Sequence, residues 1–469
     1  MENALDSLIV LFTEFYYWVT IVFMFLIHVG FVMYEVGASR KRSMYHTLMK
    51  NTMAVPLIIL TFYLFGWWLY FSMANGPFLA NIKDNGLVEA SFSVPWSELM
   101  GMHMGGTAVQ SAVEGQTMGW ARINGVFFGA FLLFSLTTAS IVSGAVIERI
   151  RTSAFLILAV LIGSVLWIID ASWGWSATGW MVRELGYHDA YASGVVHAVA
   201  GGFALGILAV LGPRIGKFRK DGTARNINPH KPLYVCVGLF LIFTGFWGFY
   251  VACNIPIWDI QSGDGTFFSA TTIYLTPTTL SGITFNFLLS LSGGLMSSYI
   301  FSKGDPFWTY SCGLAGVIGA SAGNDLYHPL QAFLIGAIVP YIAYKLHFWV
   351  ERKFKIDDAV GAVAVHGYSG FLGVVVAGFL LWGYPSSPDT SFAVINPLGN
   401  FIGAVIMFVV LGFLPGYITA YALNKINMLR VPPEVEIAGL DLAYMVDLDK
   451  DKQDMLADQE RAAKKLNIL

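Results

Sequence analysis

Eleven apolar runs divide this chain, and they constrain its fold more than any other feature. A hydrocarbon slab about 30 Å thick takes about 20 helical residues to cross. Inside it every backbone N–H and C=O must find a partner within the protein. The runs fall at about 8–35, 51–75, 124–148, 153–173, 190–213, 232–254, 276–303, 309–323, 327–350, 359–383 and 395–424, the eighth being short and glycine-rich. The expected fold class is all-α, a polytopic membrane protein of eleven transmembrane helices. Composition agrees: 56% of residues are hydrophobic and 12% charged, against about 25% charged in soluble proteins.

A net charge of −3 gives no reason to expect a nucleic-acid partner. Cys236, Cys253 and Cys312 are odd in number and widely spaced, which argues against a disulfide framework. No basic residue precedes the first apolar run, so it reads as a true span rather than a cleavable signal peptide. Loop charge orients the bundle. Arg40, Lys41, Arg42 and Lys50 fall in the first connection, and Arg214, Lys217, Arg219, Lys220, Arg225 and Lys231 follow the fifth span beside one acid, Asp221. Arg149, Arg151, Lys303 and the Arg352-Lys353-Phe354-Lys355 run share that side if every span crosses, whereas 254–275 holds Asp259 and Asp264 and no base. The positive-inside rule then places the N-terminus outside and the C-terminus in the cytoplasm, as expected of a multi-pass protein of the inner (plasma) membrane. That parity requires an odd number of spans.

Two segments resemble each other. Asp189-Ala-Tyr-Ala-Ser-Gly-Val-Val-His197 and Asp358-Ala-Val-Gly-Ala-Val-Ala-Val-His366 each open a span with an N-capping aspartate and place a histidine eight residues later. Eight residues of helix descend about 12 Å. Entering from opposite faces, the two histidines approach the midplane, the pattern of an inverted repeat of spans 1–5 and 6–10. A lone buried histidine is usually a packing residue, but polar groups inside a membrane are costly and tend to line a pathway or pair with one another. The aspartates need only be caps.

These residues resemble the twin-histidine pore of the ammonium transporter (Amt/Rh) family, and the likeness covers nearly the whole chain. Gly194-Val195-Val196-His197 and Asp358 through His366 look like the family's fifth- and tenth-helix motifs. Ser143-Gly144-Ala145-Val146-Ile147-Glu148-Arg149 is similar to its signature after the third span, and Val431-Pro432-Pro433-Glu434 with Gly439-Leu440-Asp441 to its C-terminal region. The resemblance implies a pore through His197 and His366 gated by Phe134 and Phe249. It also implies an ammonium-binding vestibule at Trp175, with Trp173 as a rival, and a homotrimer with one pore per subunit. A PII-type signal protein is the partner it implies. Asp189 is expected to act on the cation at range, and Cys253 to stand where the family has a serine in the outer site.

Physical chemistry supports the same mechanism. Aromatic faces attract a cation by about 2 kcal/mol once water is stripped away. A narrow apolar passage then favours the neutral amine, and two imidazoles are suited to relaying the proton left behind. The substrate is therefore expected to be ammonium, passing as ammonia. Tyr250 replaces an expected asparagine, and the tail from Asp447 has helix formers with Leu456, Ala463 and Leu466 loosely on one face. A non-conducting ammonium sensor coupled to a cytoplasmic signalling domain is therefore the alternative. No His-Glu-x-x-His or clustered ligand set points to a metal, a cofactor or an enzyme. The expected organisation is a transmembrane unit over 1–425, with inverted halves at about 8–213 and 232–383 plus the span 395–424. A C-terminal region over 426–469 follows, a solvated tail in the plainer reading and the lead into a signalling module in the sharper one.

Overall fold

The computed structural model describes residues 2–73, 117–176, 179–259, 265–270, 277–387, 390–444 and 449–465. The expected end of the second span at 74–75, Asp264, Asp447 and Leu466 lie outside them. Ten described helices are long and apolar enough to cross a membrane: α1 (Leu8–Ala38), α2 (Lys41–Gly66), α3 (Gly125–Ala145), α4 (Thr152–Gly174), α5 (Ser193–Leu211), α6 (Pro232–Ala252), α7 (Leu280–Phe301), α9 (Pro329–Phe354), α10 (Val363–Leu380) and α11 (Pro397–Lys425). The eleventh, α8 (Pro306–Ser321), has 16 residues, and every one from Ser311 onward is buried. Its length of about 24 Å falls short of the slab. Its neighbours α6, α7, α9 and α10 surround it in place of lipid.

Large apolar side chains such as Phe15, Tyr299, Leu330 and Ile418 are exposed, while Glu35, Lys50, Asp189 and Arg149 are buried. This is the inversion expected of a protein that meets hydrocarbon outside and keeps polar groups within. The first helices of the two halves, α1 and α6, pack along their length. One departure from the all-α expectation follows α6. There β1 (Asn254–Asp259), β2 (Gly265–Ala270) and β3 (Pro277–Thr278) form a small antiparallel sheet, with Ile255 opposite Ser269. Ile-Pro-Ile-Trp and Thr-Phe-Phe are β-branched and aromatic runs too short to span.

Lys50 is a second departure. It is not a loop charge: α2 is already α-helical from Met44, and the Lys50 side chain is buried between it and neighbouring helices. Its ammonium donates to Ser143 O at 2.7 Å and Ser143 Oγ at 2.8 Å, beside Glu35 at 3.6 Å. Those partners make the burial tolerable, and a reading of loop charge alone has no means of finding them.

The remaining basic connections do gather on one face. Arg40 binds Glu148 through its backbone N–H and, at 2.6 Å, its Nε. Arg214 grips Asp357 through Nε at 2.8 Å and Nη2 at 2.9 Å. Arg149 donates to the carbonyls of Gly212 and Asp357. The C-terminal segment docks on this belt. Val431 N–H donates to Arg149 O, Ile215 N–H to Glu436 Oε1, and His46 N–H to Asp441 Oδ1.

Burial by itself would raise the Asp357 carboxyl, but Arg214 and Arg149 outweigh it and hold it well below the usual carboxylate range. A carboxylate depressed in the folded state adds stability that is complete above its unfolded pKa of about 3.9 and is lost as pH falls below that value. Asp357→Asn is expected to cost about 3 kcal/mol at pH 7 by leaving Arg214 poorly paired. The gap from the parent should narrow by about 1.4 kcal/mol per pH unit below about 3.9. Thermal unfolding in detergent at pH 7 and pH 3 checks both figures.

Candidate functional site

The two histidine-bearing helices start alike, down to the backbone. The residue five before each histidine, Ala192 in one half and Gly361 in the other, is left-handed with φ of 70°. Each aspartate then caps the turn that follows. Asp189 accepts from the N–H groups of Ser193 (2.7 Å), Gly194 (2.7 Å) and Val195 (2.9 Å). Asp358 accepts from Ala362 and Val363, both at 2.9 Å. Each histidine then sits in a π-helical turn, Ser193–Ala198 or Val363–Tyr368. A π turn adds one residue to the helical repeat and re-aims the side chains it carries, which is why such turns collect at functional sites.

Glycines let the halves meet. Gly201 and Gly370 each follow their histidine by four residues. A Cβ on Gly201 would lie 2.2 Å from Gly367 Cα, and one on Gly370 2.1 Å from Ser193 O. With the backbones this close, His197 Nδ1 and His366 Nδ1 come within 3.0 Å of each other, both rings buried. In a neutral pair, one ring donates its Nδ1–H and the other accepts. The donor ring therefore has a bare Nε2, and the acceptor ring carries its hydrogen on Nε2. His197 Nε2 is buried with no hydrogen-bond partner among the described residues.

An aromatic column continues from His197. Phe246 and Phe249 stack on its ring, each at 5.7 Å. Phe134 meets Phe249 edge-on at 4.6 Å, and Trp175 meets Phe134 at 5.1 Å. The Trp175 indole N–H donates to Asp189 O at 2.6 Å, which ties the column's far end to the cap of the His197 helix. Trp173 packs against Trp180 instead. The structure thus brings together Trp175, Phe134, Phe249, His197 and His366.

Asp189 touches this group through its backbone, its carboxylate being engaged by the helix and by the Tyr187 hydroxyl at 3.1 Å. Cys253 is buried where α6 ends, its N–H donating to Phe249 O at 3.3 Å and Tyr250 O at 3.1 Å. Tyr250 is held by a stack on Tyr191 at 4.3 Å. Its oxygen lies 2.6 Å from Ser321 Oγ and accepts from Asn324 Nδ2 at 2.9 Å.

Sequence reasoning missed Phe246 and Asp170. Asp170, in α4, is fully buried, and neither carboxylate oxygen has a hydrogen-bond partner among the described residues. An acid inside an apolar run was the available signal.

A bundle of membrane-length helices packed around a buried histidine pair is the architecture of a polytopic membrane protein. More particularly, the chain belongs to the ammonium transporter family, because the pattern of the Ammonium Transporter Family matches residues 15–447. It is 28% identical over 436 residues to the ammonium transporter Amt2 of Archaeoglobus fulgidus, covering 88% of this chain and 83% of that one. It is 30% identical over 434 residues to the ammonium transporter Amt2 of Methanocaldococcus jannaschii, covering 90% and 87%. In fold it resembles a solved Sensor Amt Protein (TM-score 0.73, 22% identity, 95% of this chain and 100% of that one). It also resembles Rh50 of Nitrosomonas europaea (TM-score 0.62, 18% identity, 98% of each chain).

Three substitutions test the geometry. Gly201→Ala forces a methyl group into Gly367 and should cost about 1–3 kcal/mol. Gly125→Ala, with nothing within 4 Å of the added Cβ, should leave stability unchanged or raise it by about 0.5–1 kcal/mol. Asp189→Asn puts an amide against backbone donors and should cost about 1–2 kcal/mol. Thermal shift of the purified variants reads all three.

Proposed function

We propose that the protein takes up ammonium by recruiting the cation at Trp175, stripping its water and deprotonating it near Phe134 and Phe249. Ammonia then passes His197 and His366 while the proton travels separately along the imidazoles. The observation that carries this reading is the buried Nδ1–Nδ1 bond at 3.0 Å at the end of an aromatic column. Aromatic faces favour a desolvated cation, and the Asp189 carboxylate, held by three backbone N–H groups, adds to that attraction at range. The apolar ring stack around His197 penalises charge, so the amine proceeds neutral. Potassium has no proton to surrender and is excluded by the same step.

The basic face, with its docked C-terminal segment, is read as cytoplasmic by the positive-inside rule. We take residues 1–425 as the transporting unit and the region from 426 as the place where a PII-type protein or a signalling module engages. A homotrimer with one pore per subunit completes the reading.

The test is a transient current after an ammonium pulse on proteoliposomes, with ammonium binding measured on the same preparation. The parent should give a saturable current, and His197→Ala/His366→Ala should reduce it at least tenfold while potassium pulses give none. Binding without current in the parent would make the protein a sensor of the same fold.

A further inference from the structure

On the side of the histidine pair away from the aromatic column lies a small cavity of about 10 Å³, lined by His366, Tyr34, Glu35 and Ser311 among apolar neighbours that include Phe31 and Ile242. That is room for about one water, which needs two to four polar partners to reside in a buried site. The lining supplies them. Tyr34 OH donates to Val360 O at 2.9 Å, with Ser311 Oγ 3.4 Å away. Glu35 is fully buried, and its two carboxylate oxygens are treated very differently. Oε2 accepts from Ser143 Oγ at 2.6 Å and Asn51 Nδ2 at 3.0 Å, with Lys50 Nζ at 3.6 Å. Oε1 is buried and has no hydrogen-bond partner among the described residues.

A buried carboxylate oxygen left open in this way costs free energy unless something else occupies it. Three residues beyond Glu35, α1 ends at Ala38, so the group stands about one helical turn from the basic face.

We infer that Glu35 is the proton acceptor at the inner end of the histidine pair, with Lys50 as the positioning residue that keeps it ionised and ready. This rests on the transport reading above and extends it. The balance is simple. An N–H bond of ammonium breaks and one forms at His197 Nε2, while the Nδ1–H of His197 passes to His366 Nδ1. The Nε2–H of His366 then goes to the cavity water, and that water gives a proton to Glu35 Oε1, turning the carboxylate into a neutral acid. The Glu35–Lys50 pair is neutral before this step and carries one positive charge after it. Repulsion by Lys50 therefore drives the proton onward to water at the basic face, and the carboxylate is restored.

The experiment records ammonium-evoked current and radiolabelled methylammonium uptake together, in proteoliposomes, in H₂O and D₂O. Glu35→Gln leaves Lys50 unpaired and invites misfolding, so Glu35→Gln/Lys50→Gln is made beside it, with thermal shift to establish folding. The folded double variant should lose current at least tenfold. Glu35→Asp should restore part of it, with an H₂O/D₂O current ratio above the parent's, because proton transfer across a longer gap becomes limiting. A folded double variant with current within twofold of the parent, and no change in isotope ratio for Glu35→Asp, would make the pair structural and overturn the proposal. A parent without current overturns both this proposal and the transport reading; a conducting parent with an unaffected double variant overturns this one alone.

Discussion

Two carboxylates hold the centre of this protein open to chemistry. Helices that begin inside a bundle expose N–H groups that neither water nor lipid can satisfy, and each unsatisfied group costs several kcal/mol. Asp189 and Asp358 meet that demand five times between them. With the donors satisfied, the first turn of each of these helices is free to take the wider π geometry that carries a histidine. Every other feature of the site, from the glycine contact to the Trp175 bond on Asp189 O, is arranged around helices that can start where they do.

The belt of ion pairs on the basic face does a related job at the margin. Arg214 holds Asp357, whose chain neighbour Asp358 caps the His366 helix. Arg149 links the same corner to the end of α5 and to the C-terminal segment. The placement of the His366 helix is thus set partly by charges that lie outside the apolar slab, where burial and pairing are both tolerated.

Much of this was legible in the sequence because membranes simplify the code. Apolar length gave the spans, and all eleven are present, with α8 short as expected and made viable by helices around it. The repeated Asp-to-His spacing pointed to the meeting of His197 and His366, and placing Phe134, Phe249 and Trp175 depended on resemblance, since 36 phenylalanines carry no label of their own. What stayed hidden depends on partners distant in sequence. Lys50 looked like a loop charge until Glu35 and Ser143 folded against it. Phe246 is one of several aromatics on α6, and only the helix's rotation shows which face it presents. The strands after α6 fall in 254–275, read from its charges as a connection between spans, and loop charge carries no sign of strand pairing.

The bond between the two imidazoles has a direction. One hydrogen lies between Nδ1 and Nδ1, so at any instant the pair shows a lone pair at one outer edge and an N–H at the other. A proton that enters at the lone pair and leaves as the N–H reverses both ends, and the next arrival from the same side meets a hydrogen where it needs an acceptor. On the proposed relay the pair is a latch that closes behind each proton and must be turned back before it opens again. On that route it keeps a memory of one event, and the time taken to erase that memory sets a ceiling on how fast protons cross.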